Sequence, residues 1–235
     1  MEQIRRPGLR RLGLAAAAVA VAAIVTAVGA GRADPGVHYD AHPEALAFGK
    51  EMYEFDTVEK MTATSHLVVF GTVTAVETGR LAGADEDPEE AGGDIRLRKV
   101  TIGQLDVLHN SKNLIIPPSI TLEEEGWDEE GRGYIVNNVE WSEVGDTGYF
   151  FLRRAAGTSD PYTYQLVSSD GRALVVDGSL RPSNAENELA GTITTMMPSF
   201  LNNTVVAASG QVAAGMLSES VPTGDLPQPP EESGE

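Results

Sequence analysis

The sequence predicts a mainly β protein: a small closed barrel of five to six strands, with helices on its flanks. Three observations carry that prediction. Runs rich in Val, Thr and aromatic residues recur from His66 to Val176, divided by Gly, Pro and Asp turns. In one of these runs the apolar phase shifts by one across Gly103, as it does where a bulge bends a strand toward closure. Capping signals followed by apolar stripes stand on both sides of the region.

Pro43 sits where a first helical turn accepts proline, and Leu46, Gly49 and Tyr53 fall on one face, so a short helix is expected there. Asp56 with Glu59 three residues later has capping-box spacing, which predicts a second helix ending near Ser65 with Val58 and Met61 inward. "HLVVFGTVTAVETG" is the first strand, and Gly71 marks a bulge or a close approach. "IRLRKVTIGQLDVLH" is the second, its apolar set changing from Val100/Ile102 to Leu105/Val107. Pro117-Pro118 closes a turn before the third, "SITLEEE". "GYIVNNVEW" reads as a short strand inside the next connection. "DTGYFFLRR" is the fourth strand, and the unbroken apolar run Tyr149 to Leu152 marks it as buried. "YTYQLVSSDGRALVV" reads as a hairpin turning at Asp170-Gly171. A last helix is expected from the Ser183/Glu186 capping box, with Leu189, Ile193 and Met196/Met197 on its apolar stripe and Pro198 stopping or kinking it.

The termini differ from this middle. "MEQIRRPGLRR" is basic, and Leu12 to Ala30 is an uncharged apolar run of 19 residues. Val28 and Ala30 are placed like the small residues before a signal cleavage site. The run also approaches the roughly 20 residues that span a bilayer, so a cleaved signal and a retained anchor both fit. Arginines before it and acid after it orient the C-terminal part outside. The expected organisation is therefore a signal peptide or anchor at 1–33, a linker at 34–42, the barrel with its helices at 43–208, and a disordered acidic, Pro-rich tail at 209–235.

Charge and cysteine usage exclude several functions. Five arginines against one glutamate precede Asp34, leaving −22 on the remainder of a chain whose total is −18. A surface so acidic repels phosphate backbones, so no nucleic-acid partner is expected. The absence of cysteine excludes disulfides, thiolate metal sites and cysteine nucleophiles. The serine motifs G-x-S-x-G and S-x-x-K do not occur either.

Three segments, "FDTVEKMTATSHLVVFGTVTAV", "VTIGQLDVLHNSK" and "VGDTGYFFL", stand in one order. Together they resemble an uncharacterised group of bacterial exported or membrane-anchored proteins with an OB-like core. The resemblance covers Phe55 to Val176 and implies an OB-like barrel, a topology shared with netrin-like modules and tissue inhibitors of metalloproteinases. His109-Asn110 stands where that group carries a glycine. Inhibitors of that type act through an N-terminal cysteine, so their activity does not transfer to a chain without one.

The residues with most chemistry lie in "LEEEGWDEEGRG", where six carboxylates fall between Glu123 and Glu130. If Glu123 to Glu125 finish a strand, Glu123 and Glu125 share a face and Glu124 points to the other. With Asp128 across a glycine-rich turn, Glu123 and Glu125 are the candidate ligands for a hard cation, and any two of them are a candidate acid–base pair. Trp127 and Trp141 bracket this connection and are the candidate ligand- or partner-binding residues. His38 and His42, spaced as a metal pair, fall in the expected linker; His66 and His109 are expected as half-exposed strand-end residues. A second acidic loop, "DEDPEEAGGD", reads as a strand connector. No catalytic residue and no cofactor is assigned. The expected function is an exported or membrane-anchored, non-catalytic binding or interaction module for an envelope or extracellular partner, touching the membrane through its N-terminal segment if that is uncleaved. The competing classes are a carboxylate-dependent hydrolase at the third-to-fourth strand connection and a purely structural envelope protein.

Overall fold

A computed structural model describes residues 37–43, 45–49, 51–82, 95–184 and 187–223. The expected N-terminal signal or anchor, the "DEDPEEAGGD" loop, Glu186 of the expected capping box and the tail from residue 224 lie outside the described residues. In order, the elements are β1 (Ala45–Ala47), α1 (Val58–Thr64), β2 (Leu67–Ala82), β3 (Ile95–Asn110), β4 (Ser119–Trp127) and β5 (Tyr134–Val136). They continue as β6 (Thr147–Arg154), β7 (Thr163–Leu166), β8 (Arg172–Val176), β9 (Ser179–Pro182), α2 (Glu188–Thr195) and α3 (Pro198–Ala213). Among the described residues no helix is long and apolar enough to cross a membrane.

The protein is mainly β, and five strands close a ring within one sheet. β2 pairs with β3, β3 with β4, β4 with β7, β7 with β6, and β6 returns to β2. Only the β4–β7 pairing in the ring is parallel, and it is short: Thr121 faces Thr163 and Leu122 faces Tyr164. β8 and β9 extend the sheet from β6.

Strand periodicity explains the two cores. Val69, Val100, Ile102, Ile120, Leu122, Phe150 and Leu152 fill one cluster with Tyr164. The alternate residues Val68, Tyr149 and Phe151 join the other, packed with Met61, Leu189, Ile193, Leu201 and Val205 of the three helices. β6 therefore buries both faces, which is why its sequence is apolar without alternation. The phase shift in the second strand is a bulge: Phe70 faces Asp106 and Thr72 faces Gly103, so Gln104 and Leu105 oppose the single Gly71. Gln104 takes the positive φ of 53° that the bulge needs.

Gly148 is required where three strands meet, since it faces Gly71 on one side and Leu174 on the other. A Cβ there would lie 2.3 Å from the backbone oxygen of Ala173, which cannot rotate away. Gly148→Ala is expected to cost about 1–3 kcal/mol by overpacking, read as a lower urea midpoint at unchanged slope.

Several local expectations are corrected. No helix follows Pro43: Ala45–Ala47 is a strand, paired in parallel with Tyr134–Val136 eighty-odd residues away, and that pairing overrides the weak helical signal. Thr57, not Asp56, caps α1, its hydroxyl accepting from Lys60 N at 3.2 Å, while Asp56 pairs with Lys60 at 3.6 Å. The Asp170-Gly171 segment is not a hairpin, because β7 and β8 do not pair with each other; they follow one another along the edge of β6 that β2 leaves free. The tight hairpin is β8–β9, turning at Asp177-Gly178 with φ of 50° and 79°. Asn187, not Ser183, caps α2, since the Ser183 hydroxyl is turned to the Ser169 carbonyl. Pro198 does not merely end α2. It opens α3, which runs to Ala213, so the expected boundary at 208 falls inside a helix. His109 is buried (3% exposed) against Ser209 of α3 rather than half-exposed; His66 is half-buried as expected.

Candidate binding cavity where two strands part

β4 carries Ile120, Leu122 and Glu124 on one face, so the third position of an apolar alternation is a carboxylate. Glu124 is held by groups from two other strands and a loop. Arg98, its cross-strand neighbour on β3, donates from Nη1 to Oε2 at 2.7 Å, and Arg172 of β8 donates from Nη1 to Oε1 at 3.1 Å. The Ser142 backbone N–H donates to Oε2 at 3.1 Å and its hydroxyl to Oε1 at 2.5 Å. The Nη2 donors go to carbonyls, Arg98 to Ser142 at 2.9 Å and Arg172 to Glu140 at 2.5 Å, while Nε of each arginine is buried without a hydrogen-bond partner. Side-chain exposures are only 7% for Arg98 and Glu124 and 2% for Arg172. Burial, with the neighbouring Arg172 adding to it and Glu124 opposing it, lowers the pKa of Arg98.

Beyond Leu122 the β4–β7 pairing ends, and a cavity of about 470 Å³ opens where the two strands part. Glu123, Glu124 and Glu125 line it from β4, Gln165 and Leu166 from β7, and Trp141 from the connection between β5 and β6. Ile135, Val136, Leu97 and Met52 give it apolar wall, and Glu51 and Asn137 add polar groups. Trp141 is fixed there: its indole N–H donates to the Tyr134 carbonyl at 3.0 Å, and the Arg98 guanidinium lies 4.4 Å from its ring centroid. The carboxyl of Glu125 is shielded inside this concavity although much of the residue stays open to solvent, and burial followed by the charge of Glu51 raises its pKa. Burial, then Glu125, then Asp128, push the Tyr134 phenol up to about 12.

The three candidate metal ligands do not converge. Glu123 is taken by Arg80 in a two-pronged pair, Nε to Oε1 at 2.9 Å and Nη2 to Oε2 at 3.0 Å. Asp128 organises its own turn, its Oδ1 accepting from Glu130 N and Arg132 N at 3.0 and 2.9 Å and its Oδ2 from Arg132 Nε at 2.8 Å. Glu125 lines the cavity beside the arginine-bound Glu123, and among the described residues no group of three or more His, Asp or Glu is placed to hold a metal.

The tryptophans separate in role. Trp127 is buried at 7% exposure, edge-on to Trp141 and to Tyr39, and donates to the Asp40 carbonyl at 2.8 Å. It is wall material, and Trp141 is the half-buried one that lines the cavity. The expected linker is correspondingly packed in its described part. Asp40 N donates to Gly131 O at 3.0 Å, and Gly133 N donates to the Asp40 carboxylate at 3.1 Å. Gly131 sits at φ 84° with the His38 carbonyl where a Cβ would be, so a glycine is needed for that contact. His38 and His42 are both exposed.

Sequence reasoning missed Glu124, Arg98 and Arg172. The in-phase position of Glu124 after Ile120 and Leu122 was the available signal; for Arg172, 48 residues away, there was none. A scan against protein-family models gives no match, and a search of curated proteins gives none either.

Proposed function

We infer that this protein is a non-catalytic binding module with an OB-like barrel, exported or held at the membrane by its N-terminal segment, and that the cavity beside β4 and β7 is its ligand site. The observation that carries this reading is the preformed concavity itself. Its walls are mixed, with apolar side chains and one fixed tryptophan face beside convergent charged groups (Glu51, Glu123, Glu125, Arg80 and Arg153 among them), a make-up suited to a polar small ligand or a peptide segment. The OB-like assignment is supported by the five-strand ring and its single parallel pairing. Export is supported by the basic start and apolar run of the sequence. The partner is an envelope or extracellular molecule reached by the barrel outside the membrane. The carboxylate-dependent hydrolase fits less well, because Glu123 and Asp128 are each neutralised by an arginine.

The test is a thermal-shift screen of the full-length chain against glycans, peptides and envelope extract. A ligand at a hundredfold its Kd adds about 2.7 kcal/mol, a rise of about 5–10 °C for a domain of this size. The rise is expected to vanish in Trp141→Phe combined with Gln165→Ala. No rise with any member of the screen, or a rise that survives the double substitution, refutes the site.

A further inference from the structure

A second cavity, of about 390 Å³, adjoins the first and shares Glu51, Tyr53, Asn137 and Ser169 with it. Its lining has one sign of charge. Among the described residues it holds the carboxylates of Glu51, Glu54, Asp170 and Glu188 and no basic side chain. Phe48, Tyr53 and Phe55 supply aromatic wall, and Phe48 is 77% exposed at the surface.

Asp170 gives this cluster a meaning beyond a solvated acidic surface. It is only 3% exposed. One carboxylate oxygen, Oδ2, accepts from the Asn187 side chain, while Oδ1 is buried and has no hydrogen-bond partner. An acceptor left unsatisfied out of water costs about 1–3 kcal/mol, and more when it belongs to a charged group. Glu51 is already engaged, accepting from Asn137 Nδ2 at 2.7 Å and from Ser169 N at 3.3 Å, so it adds negative charge beside Asp170 rather than a donor.

We propose that this cavity binds an organic cation, the primary ammonium group of an alkylamine or of a lysyl side chain, with Asp170 and Glu51 taking the charge and Phe48 and Tyr53 packing on the methylenes. An ammonium places positive charge beside Asp170, whose Oδ1 has no donor, and relieves the repulsion between the carboxylates. The aromatic rings favour a cation carried on a carbon chain. A bare divalent ion fits poorly, because no three carboxylates among the described residues are close enough to share one. The proposal goes beyond the reading of the first cavity and does not use its Trp141, although Glu51 and Tyr53 line both.

The experiment is calorimetric titration of the full-length chain at neutral pH and low salt with two probes, cadaverine and an acetyl-Gly-Lys-Gly-amide peptide. Saturable one-to-one binding of at least one probe is expected, weakened at least tenfold in Asp170→Asn and unchanged in Trp141→Phe. Binding of cadaverine alone assigns a free amine, of the peptide alone a lysyl side chain, and of both the head group itself. Should Asp170→Asn fail to fold, Phe48→Ala, a change at an exposed residue, is expected to weaken binding severalfold. The proposal is overturned if neither probe saturates, if affinity is the same in Asp170→Asn (or in Phe48→Ala, where that variant is used), if Trp141→Phe abolishes binding, or if calcium at equal concentration displaces the probe.

Discussion

Glu124→Ala is expected to lower the stability of the barrel by about 3–5 kcal/mol, the cost of leaving buried charge uncompensated. Among the described residues the carboxylate is the one anion that both Arg98 and Arg172 touch, and the two arginine side chains are 93% and 98% removed from solvent. With Glu124 gone, two cations face each other with only Ser142 and carbonyl oxygens between them. Glu124→Gln keeps the shape and removes the charge, so it is expected to lose most of the same stability; a small loss would show that packing, not charge, is what Glu124 supplies. Glu129→Ala, at an exposed position of the same acidic run, is expected to stay within about 0.5 kcal/mol of the parent. The triple change Arg98→Met, Glu124→Leu, Arg172→Met is expected to recover much of the single-mutant loss, because apolar groups of similar volume often replace a buried ion cluster without penalty. Urea denaturation of the four variants measures all of this. A Glu124→Ala midpoint close to the parent would remove the ion cluster from any account of the fold.

What the sequence made legible follows from which interactions are local. The five ring strands, the bulge opposite Gly71 and the two-sided burial of β6 are written in periodicity, because burial on a pleated surface repeats every second residue. Asp170-Gly171 and Asp177-Gly178 are the same dipeptide, the first preceded by Ser168-Ser169 and the second directly by Val175-Val176. Only the second takes positive φ at both residues, because β8 and β9 are in register there. The first lies along one edge of β6, with Val167 N bonded to Phe151 O and Phe151 N bonded to Gly171 O, a long-range pairing that no local signal encodes. The same holds at the cavity. Six carboxylates look equivalent in "LEEEGWDEEGRG", yet Glu123, Glu124 and Asp128 meet Arg80, Arg98 and Arg132 from different distances along the chain, and only Glu124 is drawn inside. Trp127 was legible as an aromatic among carboxylates but not as a buried one, since its hydrogen-bond partner, Asp40, lies 87 residues earlier.

Between pH 4 and 6.5 the parent protein is expected to show nearly flat stability, while two single substitutions tilt the profile in opposite directions. Burial, and the charge of Glu51, push Asp170 up to about 6 against the hydrogen bond from Asn187. The folded state thus holds this proton more tightly than the unfolded chain does, so Asp170 adds stability as pH falls through 6 toward its ordinary value. His66 has the reverse sign. Burial first, then Arg153 and Lys112, with Arg154 adding and Glu219 opposing, push it down to about 4. Its neutral Nδ1 accepts from Arg154 N at 3.1 Å, a bond that protonation destroys. The folded state resists that proton, so His66 removes stability as pH falls from 6.5 to 4. Each tenfold change in proton affinity is worth about 1.4 kcal/mol. Asp170 therefore contributes up to about 3 kcal/mol, and His66 about 2 kcal/mol once its partial exposure is discounted. Burial sets the same directions in Glu125, which follows Asp170, and in His109, which follows His66. Asp170→Asn is expected to lose about 2 kcal/mol on acidification from pH 6.5 to 4, and His66→Gln to gain a similar amount over the same range. Urea midpoints at half-unit pH steps for the three proteins decide it, since parallel profiles for all three would mean that neither group is titrating out of step with the unfolded chain.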